Sequence, residues 1–444
     1  MATPGGPRTV ERMERYWGRG MASRWWQTGV AALAGLVVVG GLGVASASAK
    51  TTVVFWHAMG GPLGQTLDQL VQQFNQSQNE IEVKAMNQGN YGALQQKLLA
   101  AVAARKAPTM SQVYSNWTDE LISGNQIVPI ENFIKGPNGL SQAEFDDILP
   151  GFRRGNTFYG KFYTMPFNKS LYVTVYNKTL YDQKGLGEPR TWNDLLRAAQ
   201  ATTERQGDTV ARYGFGIRPN VDTFALFFLT NGGDWLSDDL RTAQFNSVAG
   251  QQALQLLVDM VHKWKVAYIL SGYLDQDFGA GKVATYTTSS PGLTYAEQAV
   301  GNKFTMAVCG LPYNKTQATP VAGTDLAIMA QADPREQEAA WAFIKWLTAA
   351  PQTARWSAET SYLPVRTSAI ESPAYQEFLK THPNDRVVVA QLKYAVSDPP
   401  IAEWNKIRGW VSDATDEALQ QKKTPKQALD EAAAKSNELL AKRK

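Results

Sequence analysis

The residue types that most often carry chemistry are few in this chain and are scattered along it. The three histidines are His57, His262 and His382, and no two of them stand at a spacing that holds a metal ion. The single cysteine, Cys309, excludes an intrachain disulfide and is typical of a buried thiol. The sequence has no HExxH, no GxSxG and no P-loop. We therefore expect neither a metal nor a cofactor, and no motif predicts an enzyme.

Carboxylates are numerous and dispersed. The fold can bring two of them together as a glycosidase pair without leaving a sequence motif. A glycoside hydrolase or a phosphodiesterase is therefore an alternative hypothesis. A sensor or adhesion module that presents a bound ligand to a receptor is another.

Tryptophan is the more informative residue, because ten of the 13 follow residue 49. Four fall in helical patterns and are expected in the core: Trp192, Trp264, Trp341 and Trp346. Three lie at predicted strand ends or in loops, where a ligand could reach them: Trp56, Trp117 and Trp404. Aromatic faces stack on sugar rings and glycerol carbons, so this composition indicates a cleft that binds polyols.

The elements that must position these residues alternate between strand and helix. The patterns give strands at 51–56, 80–86 and 109–114, with helices at 62–78 and 92–108 between them. This βαβαβ order predicts an α/β fold with a parallel sheet and helices on its faces. Ligands of such sheets bind beyond the carboxyl ends of the strands. Trp56 and His57 close the first strand, so they fall in that region.

A second block follows a predicted hinge at Pro166–Ser170. Its elements are a strand at 171–176, a helix opened by Thr191 and Asp194, a helix at 248–263, and strands at 281–290 and 303–313. After Pro320 the pattern changes to a helix pair. The C-terminal helix has a capping box, with Thr424 at the N-cap, Pro425 at N1 and Gln427 at N3.

Residues 1–49 have the pattern of an export signal. Five arginines precede an apolar run at 30–44, and Ala47-Ser48-Ala49 is a cleavage site. The alternative is a membrane anchor, for which the apolar run is short. Cleavage near Ala49 would lower the net charge from +4 to about +1, because the leader carries five Arg and two Glu. We expect a periplasmic or extracellular protein that binds no nucleic acid.

Several phrases, in this order, resemble one family: "FWHAMGG", "GNYGALQQKLLAAVAARKAP", "QVY", "PFNKSLYVTVYNK", "TWNDLL", "SYLPV" and "KKTPKQALD". They resemble the extracellular solute-binding proteins of bacterial ABC importers over about Thr51 to Leu440. Within the carbohydrate-type branch, they are most similar to the glycerol-3-phosphate-binding members. The resemblance implies the two-lobe periplasmic-binding-protein fold of type II, with the ligand cleft between the lobes. The implied lobes are 50–165 plus 319–360 at the N-terminal side, and 166–318 plus 361–444 at the C-terminal side.

The resemblance also implies ligand-binding residues: Tyr91, Ser170, Ser289, Gly323, Tyr362 and Arg408. Arg408 would pair with a phosphate through its fork of charged donors. The tyrosine and serine hydroxyls would bind polyol oxygens, and Gly323 would let its backbone approach the ligand. The protein would be a monomeric, non-enzymatic binding protein that delivers its ligand to membrane permease subunits.

Two departures from those relatives bear on the ligand. Ser115, followed by Asn116 and Trp117, stands where they have a glutamate. The tryptophans that line the ligand pocket in those relatives correspond here to the segment "GFGIRPNVDTF". We therefore expect Arg218 or Asn220 to line the site. The predicted ligand is glycerol-3-phosphate or a related glycerophosphodiester. The alternative is a neutral mono- or oligosaccharide bound by Asn116, Trp117 and Asp325. Further candidate contacts are Trp56, His57 and Trp404.

Overall fold

The computed structural model describes residues 49–443. The predicted leader, residues 1–49, lies outside the described residues except for Ala49. Within the described part of the chain, no helix is both long and apolar enough to cross a membrane.

The first half of the chain alternates strands and helices. Its elements are β1 (Thr51–His57), α1 (Gly61–Ser77), β2 (Ile81–Asn87), α2 (Tyr91–Ala103), β3 (Met110–Val113), α3 (Ser115–Ser123), β4 (Ile127–Val128), α4 (Glu131–Ile134), α5 (Gln142–Asp146), α6 (Pro150–Gly155), β5 (Thr157–Phe158), β6 (Lys161–Phe162), β7 (Met165–Asn177), α7 (Lys178–Gln183), α8 (Trp192–Thr202), β8 (Glu204–Gln206), β9 (Thr209–Arg212), β10 (Phe215–Ile217) and α9 (Val221–Thr230).

The second half is richer in helix. Its elements are α10 (Val248–His262), β11 (Ala267–Ile269), α11 (Asp275–Gly279), β12 (Thr285–Ser289), α12 (Gly292–Val300), β13 (Met306–Cys309), β14 (Thr319–Met329), α13 (Pro334–Leu347), α14 (Ala350–Thr360), α15 (Thr367–Glu371), α16 (Pro373–Thr381), α17 (Pro383–Ala390), a 3-10 turn (Gln391–Tyr394), β15 (Ala395–Val396), α18 (Trp404–Leu419) and α19 (Pro425–Leu440).

The main sheet has two halves that meet at two long strands. Its order is β11-β10-β12-β7-β14-β3-β1-β2, with β13 on β7 and with β4 and β15 on β14. β1 pairs in parallel with both β2 and β3, which confirms the predicted parallel βαβαβ unit. β7 and β14 pair with each other in antiparallel fashion, and their register shifts between Thr324 and Asp325. Pro166–Ser170, predicted as a hinge, lies within the continuous strand β7.

Each half of the sheet has its own hydrophobic core. The helix α1 buries Leu67, Leu70, Val71 and Phe74, the face predicted from its periodicity, against a cluster that includes Phe343. In the other half, α9 and α10 pack with the C-terminal helices α18 and α19. The capping boxes predicted at Thr191 and Thr424 are both present. The helix starts follow from local sequence, because each cap satisfies backbone N–H groups that the first turn leaves free.

Candidate functional site

A cavity of about 260 Å³ lies where the two halves of the sheet meet. It receives side chains and backbone from the start of α3, from α6, from the crossing strands β7 and β14, from α9 and from α18. The cavity lining includes polar, charged and aromatic residues: Tyr114, Ser115, Asn116, Trp117, Lys169, Tyr172, Asp222, Gly323, Asp398 and Arg408. Strand ends and helix starts from both halves therefore converge on one concave site.

Five of the residues predicted from sequence line this cavity: Ser115, Asn116, Trp117, Gly323 and Arg408. Gly323 has a φ of +91°, and a Cβ placed there would lie 1.9 Å from the carbonyl oxygen of Asn168. Only glycine allows this close approach of β14 to β7. Gly323 thus gives the cavity an open backbone wall.

Arg408 is held by two carboxylates at the cavity wall. Its Nη2 donates to Asp222 Oδ1, and its Nη1 lies 3.4 Å from Asp398 Oδ2. The three side chains are 22%, 31% and 26% exposed, so they are shielded without being sealed from the cavity. Burial lowers the pKa of Arg408, but the two aspartates raise it by more, so the net shift is upward. The guanidinium stays charged and presents its remaining N–H groups to the site.

Four tyrosine hydroxyls surround the same region. Tyr114 and Tyr172 line the cavity, and the rings of Tyr91 and Tyr114 pack edge to face with centroids 4.8 Å apart. Burial raises the pKa of Tyr91, Tyr114, Tyr172 and Tyr362 above the usual value for a phenol. These groups therefore remain neutral hydroxyls that both donate and accept hydrogen bonds, as recognition of a polyol requires.

Asn168 joins these tyrosines to the crossing strands. Its Nδ2 donates to Tyr91 Oη at 2.9 Å, and Tyr91 Oη lies 3.2 Å from Tyr362 Oη. Its Oδ1 accepts from Gln112 Nε2 at 3.1 Å and from the hydroxyl of Thr324. The network fixes Tyr91 and Tyr362 directly beside the cavity. They hold other polar groups in place, and the cavity lining itself does not include them.

Lys169 and Asp325 form a buried ion pair beneath the cavity. Lys169 Nζ lies 2.6 Å from Asp325 Oδ1, and the two side chains are 4% and 0% exposed. Burial raises the pKa of Asp325, and the Lys169 ammonium counteracts this shift. Lys169 lines the cavity and Asp325 does not. The carboxylate of Asp325, a predicted sugar contact, thus faces the Lys169 ammonium in this structure.

Several other predicted residues lie away from the cavity lining. Ser170 is buried in β7 opposite Ala322, and Ser289 ends β12 opposite Tyr172. Trp56 packs partly buried on the cluster that contains Trp117. Ser170 lies on the crossing strand β7 and Ser289 on its neighbour β12, whereas Trp56 lies on β1.

The prediction that Trp404 lies in a loop is wrong. Trp404 is the first residue of α18 and is fully buried, with its ring packed edge to face on Trp235 at 5.0 Å. Its indole fills the core, so it is not a contact for a ligand in the cavity. Trp117 was predicted at a strand end or in a loop, but it lies in the helix α3. Its side chain does line the cavity.

His57 is buried and has a structural contact. Its Nδ1 accepts a hydrogen bond from the backbone N–H of Met59 at 3.2 Å, and its ring packs on Phe55 at 5.5 Å. Burial lowers the pKa of His57 to about 4. His57 therefore stays neutral and orders the end of β1, and its side chain does not line the cavity.

The segment "GFGIRPNVDTF" does contribute to the site, but through a residue that sequence reasoning did not name. Asn220 caps α9 by accepting from the N–H of Thr223, and Arg218 lies over the ring of Tyr273 at 4.5 Å. Asp222, in the first turn of α9, is the residue that reaches the cavity. Tyr273 is 72% exposed and is not part of the cavity lining.

Asn116 links the two halves of the molecule across the cavity mouth. Its Nδ2 donates to Asn405 Oδ1 at 2.9 Å, which joins α3 to α18. A polar contact of this kind contributes only about 0.5–1.5 kcal/mol to stability.

Sequence reasoning missed Tyr114, Lys169, Tyr172, Asp222 and Asp398 as cavity residues. Tyr114 and Lys169 lie inside the quoted phrases "QVY" and "PFNKS", directly before the predicted site residues Ser115 and Ser170. This position in the sequence could have identified them. Tyr172 and Asp222 likewise lie inside the quoted phrases "PFNKSLYVTVYNK" and "GFGIRPNVDTF", whereas Asp398 lies in none of them. Among residues 49–443, no group of three His, Cys, Asp or Glu side chains could hold a metal ion.

The site offers neutral hydroxyls, an amide, two carboxylates, one guanidinium and the ammonium of Lys169 beside an aromatic wall. These groups suit hydrogen bonding to several hydroxyls at once, with one paired charge available for a polar substituent.

Comparisons with known proteins agree with this architecture. Residues 69–381 match the family described as "Bacterial extracellular solute-binding protein". The sn-glycerol-3-phosphate-binding periplasmic protein UgpB of Yersinia pestis is 28% identical over 424 residues, covering 89% of this chain and 94% of that protein. UgpB of Salmonella typhimurium is 27% identical over 423 residues, covering 89% and 93%.

Solved structures show that the fold is the two-lobe fold of solute-binding proteins. UgpB from Mycobacterium tuberculosis, in complex with glycerophosphocholine, superposes with a TM-score of 0.78 at 20% identity, covering 89% of this chain and 99% of that one. A solute-binding protein from Thermotoga lettingae, bound with alpha-D-tagatose, has a TM-score of 0.77 at 22% identity, covering 88% and 100%. At these identities the likeness concerns the fold alone.

Proposed function

The chain belongs to the bacterial extracellular solute-binding protein family, and we propose that it is the secreted component of an ABC importer that encloses a small polyol between its lobes. The observation that carries the proposal is the interlobe cavity, where Tyr114, Asp222, Gly323 and Arg408 converge from both halves of the sheet. The lobes in this proposal are 50–165 plus 319–360 and 166–318 plus 361–444. Closure would place the ligand against both halves, so bound ligand would favour the closed state.

Two ligand classes fit the relatives. Glycerol-3-phosphate or a glycerophosphodiester is the class named for the UgpB proteins. A neutral saccharide is the second candidate. It is favoured because Arg408 is already paired with Asp222 and Asp398, so its guanidinium is not a free cation facing the cavity. Arg408 would bind the phosphate of the first class or the ring hydroxyls of the second.

The proposal also covers the location of the protein and the delivery of its ligand. The protein would act as a monomer in the periplasm or at the cell surface after removal of residues 1–49, and would pass its ligand to permease subunits. It would catalyse no reaction. A glycosidase needs one protonated carboxyl opposite a second carboxylate, whereas Asp222 and Asp398 both bind the same guanidinium.

A thermal-shift titration of residues 50–444 tests the function. Glycerol-3-phosphate, glycerophosphocholine, trehalose and maltose are titrated against the wild type and Arg408→Ala. A ligand that binds only the folded protein raises the melting temperature by mass action. We expect at least one compound to stabilise the wild type and to lose most of this effect in Arg408→Ala. Hydrolysis of p-nitrophenyl glycosides or of bis-p-nitrophenyl phosphate would instead support the enzyme alternative.

A further inference from the structure

The cluster formed by Asp222, Arg408 and Asp398, here called the Arg408 clamp, has a consequence for the charge of the ligand. Its members come from α9, from α18 and from the loop after β15, and all three line the cavity. Two carboxylates face one guanidinium, so the clamp carries one negative charge in excess at neutral pH. The clamp is therefore a poor counterion for a second anion.

The other charged groups around the cavity do not reverse this sign. Lys169 is neutralised by Asp325 at 2.6 Å. Arg218 is not part of the cavity lining, and its guanidinium lies over the ring of Tyr273 at 4.5 Å. The charged residues of the lining, together with the Asp325 partner of Lys169, are three carboxylates and two cations. A phosphate dianion entering the cavity would meet no lining cation that lacks a carboxylate partner, and Asp222 and Asp398 would repel it at short range.

A polyol without net charge meets favourable partners in the same place. Its hydroxyls can donate to Asp222 and Asp398 and accept from the free N–H groups of Arg408. The neutral phenols of Tyr114 and Tyr172 add donors and acceptors that carry no charge. A zwitterionic glycerophosphodiester also fits, because its cationic end balances the excess carboxylate.

We propose that Asp222 and Asp398 set the ligand specificity of this cleft by rejecting ligands with net negative charge. The cleft then selects neutral saccharides or zwitterionic phosphodiesters over glycerol-3-phosphate. This inference rests on the proposed function of the cleft as a polyol site, and it narrows the ligand class within that function.

Isothermal titration calorimetry with glycerol-3-phosphate tests the proposal on wild type, Asp222→Asn, Asp398→Asn and the double variant. Asparagine keeps the shape and removes the charge, so two single variants keep the test valid if one of them fails to fold. Asp413→Asn is the matched control, because Asp413 lies on α18 with Arg408 but is exposed outside the cavity. Circular dichroism confirms that each variant is folded.

We expect the affinity for glycerol-3-phosphate to rise about tenfold or more in each single variant, to rise further in the double variant, and to stay unchanged in Asp413→Asn. An affinity that is equal in all variants, or highest in the wild type, overturns the proposal. A parallel titration with trehalose and glycerophosphocholine distinguishes failure of the proposed charge selectivity from failure of the proposed polyol-binding function. If neither binds the wild type while the glycerol-3-phosphate affinity still rises in the variants, the clamp acts as proposed and the proposed function fails.

Discussion

The phenolic oxygens of Tyr91 and Tyr362 lie 3.2 Å apart, although 271 residues separate them in the chain. Tyr91 opens α2, and Tyr362 follows α14 with its ring stacked on Trp356 at 5.6 Å. Asn168, on the crossing strand β7, donates to the same Tyr91 hydroxyl. One hydrogen-bond network thus connects the early and late parts of the chain directly beside the cavity.

Tyr91→Phe should lower the free energy of unfolding by about 1–3 kcal/mol, because it removes the buried hydroxyl that bonds both the Asn168 amide and the Tyr362 hydroxyl. Urea denaturation followed by circular dichroism measures the change. Tyr273→Phe, at an exposed tyrosine, should change stability by less than about 0.5 kcal/mol. Equal effects of the two variants would show that the network contributes nothing specific.

The Lys169–Asp325 pair should be sensitive to the loss of either partner. Asp325→Asn leaves a buried ammonium without its counterion and should destabilise the protein by about 3–5 kcal/mol. The double variant Lys169→Met/Asp325→Leu removes both charges and should be less destabilised than Asp325→Asn. Urea midpoints of the three proteins decide this, and a double variant that is the least stable would contradict the account.

His57 should make stability depend on acid pH. Its pKa is lowered by burial to about 4, whereas an unfolded histidine titrates near 6.5. Between these two values the unfolded chain takes up a proton that the folded chain does not. Stability is therefore fully present above pH 6.5 and falls as the pH drops towards 4, by about 3 kcal/mol at most.

The variant His57→Gln provides the comparison for this titration. Glutamine has no titratable group, so the urea midpoint of the variant should fall less than that of the wild type between pH 6.5 and 4. In a histidine NMR titration, the ring signal that disappears in the variant should titrate near pH 4. A signal that titrates near 6.5 would show that His57 is not shielded from solvent.

Tyr273 is a further predicted ligand contact. Its side chain is 72% exposed, lies 4.5 Å from the Arg218 guanidinium, and is near enough to Tyr114 and Tyr362 to raise the pKa of both. We expect Tyr273→Ala to weaken binding of trehalose or glycerophosphocholine about five- to tenfold, because the aromatic face is lost. Val248→Ala, at another exposed apolar residue, is the control in the same calorimetric titration. Equal affinities would exclude Tyr273 from the site.

The fold was predictable where the sequence pattern is local. The apolar face of α1, the capping box at Thr424 and the parallel unit around β1 follow from periodicity and cap chemistry within one element. The packing partner of Trp404 was not predictable in this way. Trp404, Ile407 and Val411 follow the helical period of α18, but Trp235, on which the Trp404 ring packs, lies far away in the sequence.

The site was predictable in part from the family resemblance. Gly323 and Arg408, which the resemblance implied, line the cavity, whereas Tyr91, Ser170, Ser289 and Tyr362 do not. Asp222 and Asp398 escaped prediction because a carboxylate at a helix start or in a loop is ordinary in sequence. Only the folded structure brings both carboxylates into contact with Arg408.

The crystal structure of residues 50–444 grown with glycerophosphocholine, and separately with trehalose, tests the central claim most directly. The account predicts that at least one of these compounds occupies the cavity, with polar atoms within hydrogen-bond distance of Arg408 and Asp222 and with the aromatic wall of Tyr114 and Trp117 against it. A bound compound located elsewhere on the protein, with the cavity empty beside an intact Arg408 clamp, would contradict it.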